Sequence, residues 1–312
     1  MIHVKRQREA EAEGAEAKSA FSGRINLVVS LLFLLLTVLV FLPVLLVLIV
    51  SISSEQSVTQ NGYTFFPSAF SLESWRYVLR SGGYLVQSVG NSLLITAAGT
   101  VAGLILMCPI AYALSRKHYR YRGAILIFLM IPMLFSGGLV ASYMVNTQIL
   151  NLQNTWLALI LPGLCSTWYI MILRNYIQMS VPDEMIEAAQ IDGGGQMQIF
   201  CRIIVPVIRP VIMTVALFQI FAYWNSWYPS LLYLDSNHTS LYPIQYVLVN
   251  MQRSIDRLSK DTQYMSGMQT YLPPAVTVRM VLVVVAILPI LVIFPFFQRY
   301  VKNGMTVGAV KG

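Results

Sequence analysis

Charge is missing from five long stretches of the chain, and these stretches set its architecture. They run from Ile25 to Ser54, Ser81 to Ser115, Gly123 to Leu173, Pro210 to Leu234 and Met280 to Gln298, and none holds an Asp, Glu, Lys, Arg or His. A helix needs roughly 20 mostly apolar residues to cross a bilayer. The third stretch is long enough for two crossings, and its polar middle, Asn146 to Asn154 (NTQILNLQN), reads as the loop between them. The pattern predicts six spans near residues 25–51, 89–114, 124–143, 156–176, 211–234 and 280–300. The fold class is an all-α membrane protein.

Punctuation within the spans refines this picture. Pro43 falls inside the first, where neighbouring helices can satisfy the carbonyl that a proline frees. Gly99 and Gly103 have the four-residue spacing that lets two membrane helices approach closely. Ser136-Gly137-Gly138 is expected to break the third span. Two long connections are polar. Ser53 to Gln87 carries aromatics suited to the headgroup region, and Asp235 to Val278 reads as an external loop rich in Asn and Gln. Residues 1–24 are charged and Ala-rich, and are expected to form a disordered or frayed cytoplasmic tail ahead of a membrane domain over 25–312.

Composition agrees: 56% of the residues are hydrophobic and 11% charged, where a soluble domain carries about 25% charged. The net charge of +8 raises nucleic acid as a partner, but the positions of the cations decide otherwise. When the connections are numbered alternately, the side holding the N-terminus collects 15 of the 21 Lys and Arg. Short Lys/Arg-rich loops stay cytoplasmic, so both termini are expected inside. The first apolar run greatly exceeds a signal-peptide core of about 7–15 residues, so no cleavable signal is expected. Cys108, Cys165 and Cys201 lack any paired spacing and read as apolar fillers. His3, His118 and His238 are too dispersed to suggest a metal site.

The connection after the fourth span carries the most information. Residues 180–210 read SVPDEMIEAAQIDGGGQMQIFCRIIVPVIRP. Pro182 suits the start of a helix, and Asp183 with Glu184 complements its dipole there. Gly193, Gly194 and Gly195 stop it, because glycine takes the left-handed conformation at low cost. Roughly ten residues at about 1.5 Å each make a rod of about 15 Å. A second amphipathic stretch, Gln196 to Ile204, leads back toward the membrane through Pro206. Such a rigid helix–turn–helix is built to dock into a groove on a soluble partner.

These residues resemble the EAA loop of the permease subunits of binding-protein-dependent ABC importers. That pattern is E-A-A, three residues, G, nine residues, I, one residue, L-P. The chain has Glu187-Ala188-Ala189, then Gly193, Ile203 and Val205-Pro206, with valine in place of leucine as the one departure. Asn91-Ser92, Ala111-Tyr112-Ala113-Leu114-Ser115-Arg116 and Trp224-Asn225 are similar to elements of carbohydrate permeases of the maltose-importer type. Phe135 to Leu139, Leu159 to Gly163 and Val307 to Gly312 resemble a subgroup serving complex or acidic oligosaccharides. The resemblance implies a six-helix type I importer permease in the bacterial cytoplasmic membrane. Its coupling loop, residues 180–206, would sit in a cleft of the ATPase, with Glu187, Ala188, Ala189, Gly193, Ile203 and Pro206 as key positions. It also implies two copies of that ATPase, a second homologous permease and an extracytoplasmic sugar-binding protein. ATP and Mg would be bound by the ATPase, since no G-x-x-x-x-G-K-[ST] loop occurs here. This chain would be no enzyme and would hold no cofactor of its own. Its cargo would be a carbohydrate, in particular an oligosaccharide, delivered by the binding protein. By position, the Asp235 to Val278 loop would reach that protein.

Other readings stay open beside this one. The helix–turn–helix could be an ordinary amphipathic linker, or the cargo a non-sugar solute. A secondary transporter would need ionisable residues within its spans, and the charge-free stretches lack them. For the translocation path, Gln219, Tyr223, Trp224 and Asn225 in the fifth span put aromatic faces beside amides, a combination suited to sugars; Tyr143 is a further candidate. The same aromatics would also serve as an interfacial belt.

Overall fold

The computed structural model describes residues 2–80, 82–135, 137–264 and 275–306. The chain divides into two compact units: Met1–Trp75 with Pro274–Val281, and Arg76–Pro273 with Leu282–Gly312.

The first unit is dominated by α1, Ile2–Ser51, with Pro43 inside it. The helix begins at Ile2, so residues 2–24 are its first turns and not an unordered tail. The segment EAEAEGAEAKSA explains this, since Ala, Glu and Lys are strong helix formers that need no packing to favour the helix. The short helix α2, Glu55–Asn61, is capped by Ser54, whose hydroxyl accepts from Ser57 N–H at 3.2 Å. Glu55 in turn caps the start of α15, Ala275–Thr306. Its carboxylate accepts from the Val276 and Thr277 amides at 2.9 and 3.0 Å and from the Thr277 hydroxyl at 2.6 Å. A carboxylate at this end also meets the positive pole of the helix.

The chain passes from the first unit to the second within α3, Glu73–Arg80. It leads to α4, an uninterrupted helix of 34 residues, Gly82–Ser115. The helix α5, Arg122–Leu134, ends where the Ser-Gly-Gly break is expected, and α6, Gly138–Met144, follows and passes into a π-turn, Val145–Ile149. The fourth apolar segment is α7, Trp156–Ile160, a 3-10 turn Leu161–Gly163 and α8, Thr167–Ser180, bent by 47°. A further break of 79° separates Gln196–Val207 from α12, Arg209–Trp224. Among the described residues, three helices are long and apolar enough to cross a membrane, or up to six such segments if each bent pair is one span.

Two boundaries differ from the pattern reading. The fifth apolar helix stops at Trp224, and Tyr228–Tyr233 forms a separate short helix, α13. The connection after it is not simply a loop, because Ile244–Tyr264 forms α14, 21 residues long. Its apolar residues Ile244, Tyr246 and Val247 are buried, and scattered Asn and Gln had masked that face. Residues Val307 to Gly312, which carry one of the resemblances, lie outside the described residues, as do Ser136 and residues 265–274 of the Asp235 to Val278 connection.

The core of this unit is built where α4, α8 and α12 meet. Met107, Ala111 and Leu114 from α4 pack with Ile170, Leu173 and Ile177 from α8 and Val211 and Val215 from α12. Ile186, Ile199, Ile204 and Ile208 extend the same cluster into the segment after α8.

Candidate functional site

That segment is a compact helix–turn–helix. The first helix is α9, Asp183–Ile191, beginning just after Pro182. Its exit is a Schellman turn. Gly193 takes φ +82°, Gly194 N–H donates to Ala189 C=O at 2.9 Å, and Gly193 N–H donates to Gln190 C=O at 3.0 Å. Both glycines are dictated by this geometry. Gly193 supplies the left-handed conformation, and a Cβ on Gly194 would lie 2.7 Å from the Ala189 carbonyl oxygen. The return strand of the motif is α10, Gln196–Ile199, a π-turn over Phe200–Ile204, and α11, Val205–Val207, which contains Pro206.

One face of this unit is anchored and the other is free. Ile186, Ile199 and Ile204 are buried in the core, and Ile203 is half-buried. Glu187 and Ala188 are exposed and look outward from the bundle, while Ala189 is half-buried and packs against the core. Around it stand Ile191 at 86% exposure and Met197 at 70%, with Met185 also exposed. Large apolar side chains are thus left uncovered beside a surface of small residues.

The fifth-span candidates behave differently. Gln219 is buried at 1% exposure, and its Nε2 reaches Leu164 C=O at 3.3 Å and the Gly99 and Gly163 carbonyls at 3.5 Å each. Tyr223 is buried, and its hydroxyl donates to Ile160 C=O at 2.7 Å. Trp224 is buried too, with its indole N–H on Ala286 C=O at 3.0 Å. Asn225 is exposed and caps its own helix through Phe221 C=O at 2.9 Å. Tyr143 is at the surface and stacks on Tyr233, with ring centroids 6.2 Å apart. The five residues therefore do not form one lining: three lie inside the packing and two lie on the surface.

The family model described as the binding-protein-dependent transport system inner membrane component matches residues 96–307, more than half of the chain. The chain belongs to this family. Protein LplC of Bacillus subtilis is 35% identical to the permease over 93% of this chain and 96% of its own length. The polygalacturonan/rhamnogalacturonan transport system permease protein YtcP, also of B. subtilis, is 32% identical over 90% of this chain and 96% of its own. A solved bacterial ABC transporter involved in the import of the acidic polysaccharide alginate has the same fold, with a TM-score of 0.75 at 24% identity, over 90% of this chain and 98% of that one.

Within this permease, the buried trio has a clear physical task. The break at Leu161–Gly163 leaves carbonyls without helical partners, and an apolar interior cannot leave them so. Tyr223 and Gln219 reach across from α12 to satisfy them. The approach is close enough that a Cβ on Gly99 would lie 2.4 Å from the Tyr223 ring, and one on Gly103 2.2 Å from the Gln219 amide. The Gly99/Gly103 spacing thus serves as the seat for these two side chains.

Pattern reading also missed two groups that hold the permease together at the ends of α4. Asn91 Nδ2 donates to Ser240 C=O at 2.7 Å and Tyr242 C=O at 3.2 Å, and the Ser92 hydroxyl accepts from Ile244 N–H at 2.8 Å. At the other end, Arg116 pairs with Asp183 at 3.0 Å, and Lys117 lies 3.5 Å from the same carboxylate. Near the Asn91 end, Asp235 and Asn154 bond reciprocally at 2.8 and 2.9 Å. A hydrogen bond from His238 chiefly, with others from Asn154 and the Asn237 amide, holds the Asp235 carboxyl below its ordinary pKa. The Asn91-Ser92 resemblance was a signal for one of these groups. The Ala111 to Arg116 resemblance likewise marked Arg116, but nothing in the sequence named Asp183 as its partner, 67 positions away.

Proposed function

We propose that this permease is one of two homologous membrane subunits of an ATP-driven importer for an oligosaccharide. An extracytoplasmic binding protein delivers the sugar, and two copies of a separate ATPase subunit bind ATP and Mg and supply the energy. This chain performs no hydrolysis and holds no cofactor. The relative named for polygalacturonan/rhamnogalacturonan transport supports a carbohydrate cargo.

The observation that carries the reading is the free face of α9. Its Glu187-Ala188-Ala189 run is flanked by uncovered Met185, Ile191 and Met197, while Ile186 fastens the helix to the core from behind. This is the anatomy of a coupling element, small enough to enter a cleft and rigidly attached to what must move. With α9 on the cytoplasmic side, both termini are cytoplasmic, in line with the Lys/Arg distribution. Reporter fusions after Lys302 and at Leu258 should report opposite sides of the membrane; the same side for both would remove this topology.

One experiment tests the whole reading. The assembled complex is reconstituted, and its ATP hydrolysis is measured with the cognate binding protein. That protein is loaded in turn with galacturonan, rhamnogalacturonan, arabino-oligosaccharide or alginate fragments. Stimulation by at least one saccharide, absent in Ala188→Trp, is the expected result. Stimulation by a non-sugar solute alone would overturn the cargo. Full stimulation in Ala188→Trp would overturn the docking face.

A further inference from the structure

We infer that α4 is a strut that joins α14 and the helix–turn–helix into one moving body, so that a displacement of the docking segment is delivered to α14. The inference rests on the proposed docking of α9 to an ATPase.

The argument starts from where α4 is gripped. At its Asn91 end, two consecutive polar side chains hold the base of α14. Asn91 takes the Ser240 and Tyr242 carbonyls just before the helix, and Ser92 receives the Ile244 amide that opens it. An opening amide has no partner within its own helix, so Ser92 of α4 serves as a cap supplied from another element. Asn91 and Ser92 are themselves buried.

At its Arg116 end, both arms of the helix–turn–helix are held. Arg116 pairs with Asp183 at the start of α9, with a side chain only 17% exposed, and its Nε donates to the Ser115 hydroxyl at 3.0 Å. Tyr112 donates to the Gln196 side chain at the start of α10 at 3.2 Å, and its ring lies 5.5 Å from that of Phe200. The last carbonyls of α4 are closed by α8: Arg174 donates to Leu114 C=O and Gln178 to Ser115 C=O, both at 3.1 Å. The end of α4 therefore cannot fray or swing free of the segment it holds.

Between the two grips the helix runs unbroken through Pro109, whose missing N–H removes one of its internal hydrogen bonds. From Asn91 to Ser115 it spans 25 residues, about 37 Å at about 1.5 Å per residue. Met107 and Ala111 in this stretch are fully buried against α8 and α12. Close-packed interiors shift as blocks and do not deform continuously. A helix clamped at both ends and packed along its middle moves as one piece with what it holds. Arg116, Asp183, Tyr112, Asn91 and Ser92 are thus positioning residues for energy coupling.

The test uses the assembled complex with Cys108, Cys165 and Cys201 replaced by alanine. Spin labels are placed at Gln198→Cys on α10 and Gln252→Cys on α14, both exposed positions. Their separation is measured without nucleotide and after trapping with ATP and vanadate. The strut requires one narrow distance, the same in both states. It also requires that Asn91→Leu or Asp183→Ala broaden that distance or make it change on trapping. A separation that shifts on trapping in the unaltered strut, or one that both variants leave narrow and constant, overturns the inference. A second readout separates a transmission line from two local defects. Asn91→Leu and Arg116→Ala should each lower binding-protein stimulation of ATP hydrolysis about fivefold, and the double variant no further than about fivefold. Multiplying losses would overturn the strut while leaving the docking reading intact. That reading fails separately if Ala188→Trp retains full stimulation.

Discussion

The helix–turn–helix of residues 183–207 and the C-terminal half of α12 were both marked by their side chains, yet they use those side chains in opposite ways. In the first, the marked Glu187 and Ala188 are exposed, Ala189 and Ile203 are half-buried against the core, and the anchoring falls chiefly to Ile186, Ile199 and Ile204. In the second, Gln219, Tyr223 and Trp224 are buried, and each hydrogen-bonds a main-chain carbonyl of a neighbouring segment. Polar atoms on a membrane helix have two ways to avoid lipid: a water-filled path, or a backbone group freed elsewhere in the fold. Here the broken helix at Leu161–Gly163 supplies the second. An aromatic-amide cluster in a span therefore marks a pore only if no irregular backbone lies beside it.

Substitutions can break this comparison. Gly193→Pro should have the largest effect. Proline holds φ near −65°, and Gly193 sits at +82°. The turn cannot form, and binding-protein-stimulated ATP hydrolysis of the reconstituted complex should disappear. Normal stimulation would show that the turn is not part of coupling.

Trp224→Ala comes next. Truncating a fully packed aromatic costs about 3–5 kcal/mol, so thermal unfolding in detergent should shift markedly downward. Uptake per assembled complex should stay near that of the parent. Unchanged stability with reduced uptake would place Trp224 on the path after all and erase the contrast between the two regions.

Tyr223→Phe is gentler. It keeps the ring against Gly99 and leaves the Ile160 carbonyl unpaired, a loss of about 1–3 kcal/mol. The measure is again thermal unfolding, with Gln219→Leu expected to act in the same direction through the Leu164 carbonyl. No shift in either would mean that the broken helix is satisfied by other groups.

Asn225→Ala should have the smallest effect and sharpens the comparison most. Asn225 is the exposed member of the α12 group. One hydrogen bond to a sugar hydroxyl contributes about 0.5–1.5 kcal/mol, or roughly threefold to tenfold in uptake normalised to assembled complex. An unchanged normalised rate would leave the sugar contacts to the partner permease.

Much of the fold was legible because its causes are local. Five charge-free stretches located the apolar helices, and Pro182 with the triple glycine framed α9. The tail was misread because its charge suggested disorder, while Ala, Glu and Lys at that density favour a helix. Helix α14 was passed over because its polar residues hid the short apolar run Ile244, Tyr246 and Val247 at its start.

What the amino-acid order determined by itself was what depends on neighbours along the chain: where a span can lie, where a helix must stop, and the family to which the spacing of Glu187-Ala188-Ala189, Gly193, Ile203 and Pro206 points. Which face of each helix is covered was decided only by the tertiary structure. In a soluble protein the apolar face marks the inside. In a membrane, lipid and protein interior are equally apolar, so Trp224 at 2% exposure and Phe218 at 46% carry the same signal in the sequence. The Arg116–Asp183 pair joins residues 67 positions apart, and the Asn91 contacts to Ser240 and Tyr242 span 149 and 151. Such contacts exist only once the helices have packed.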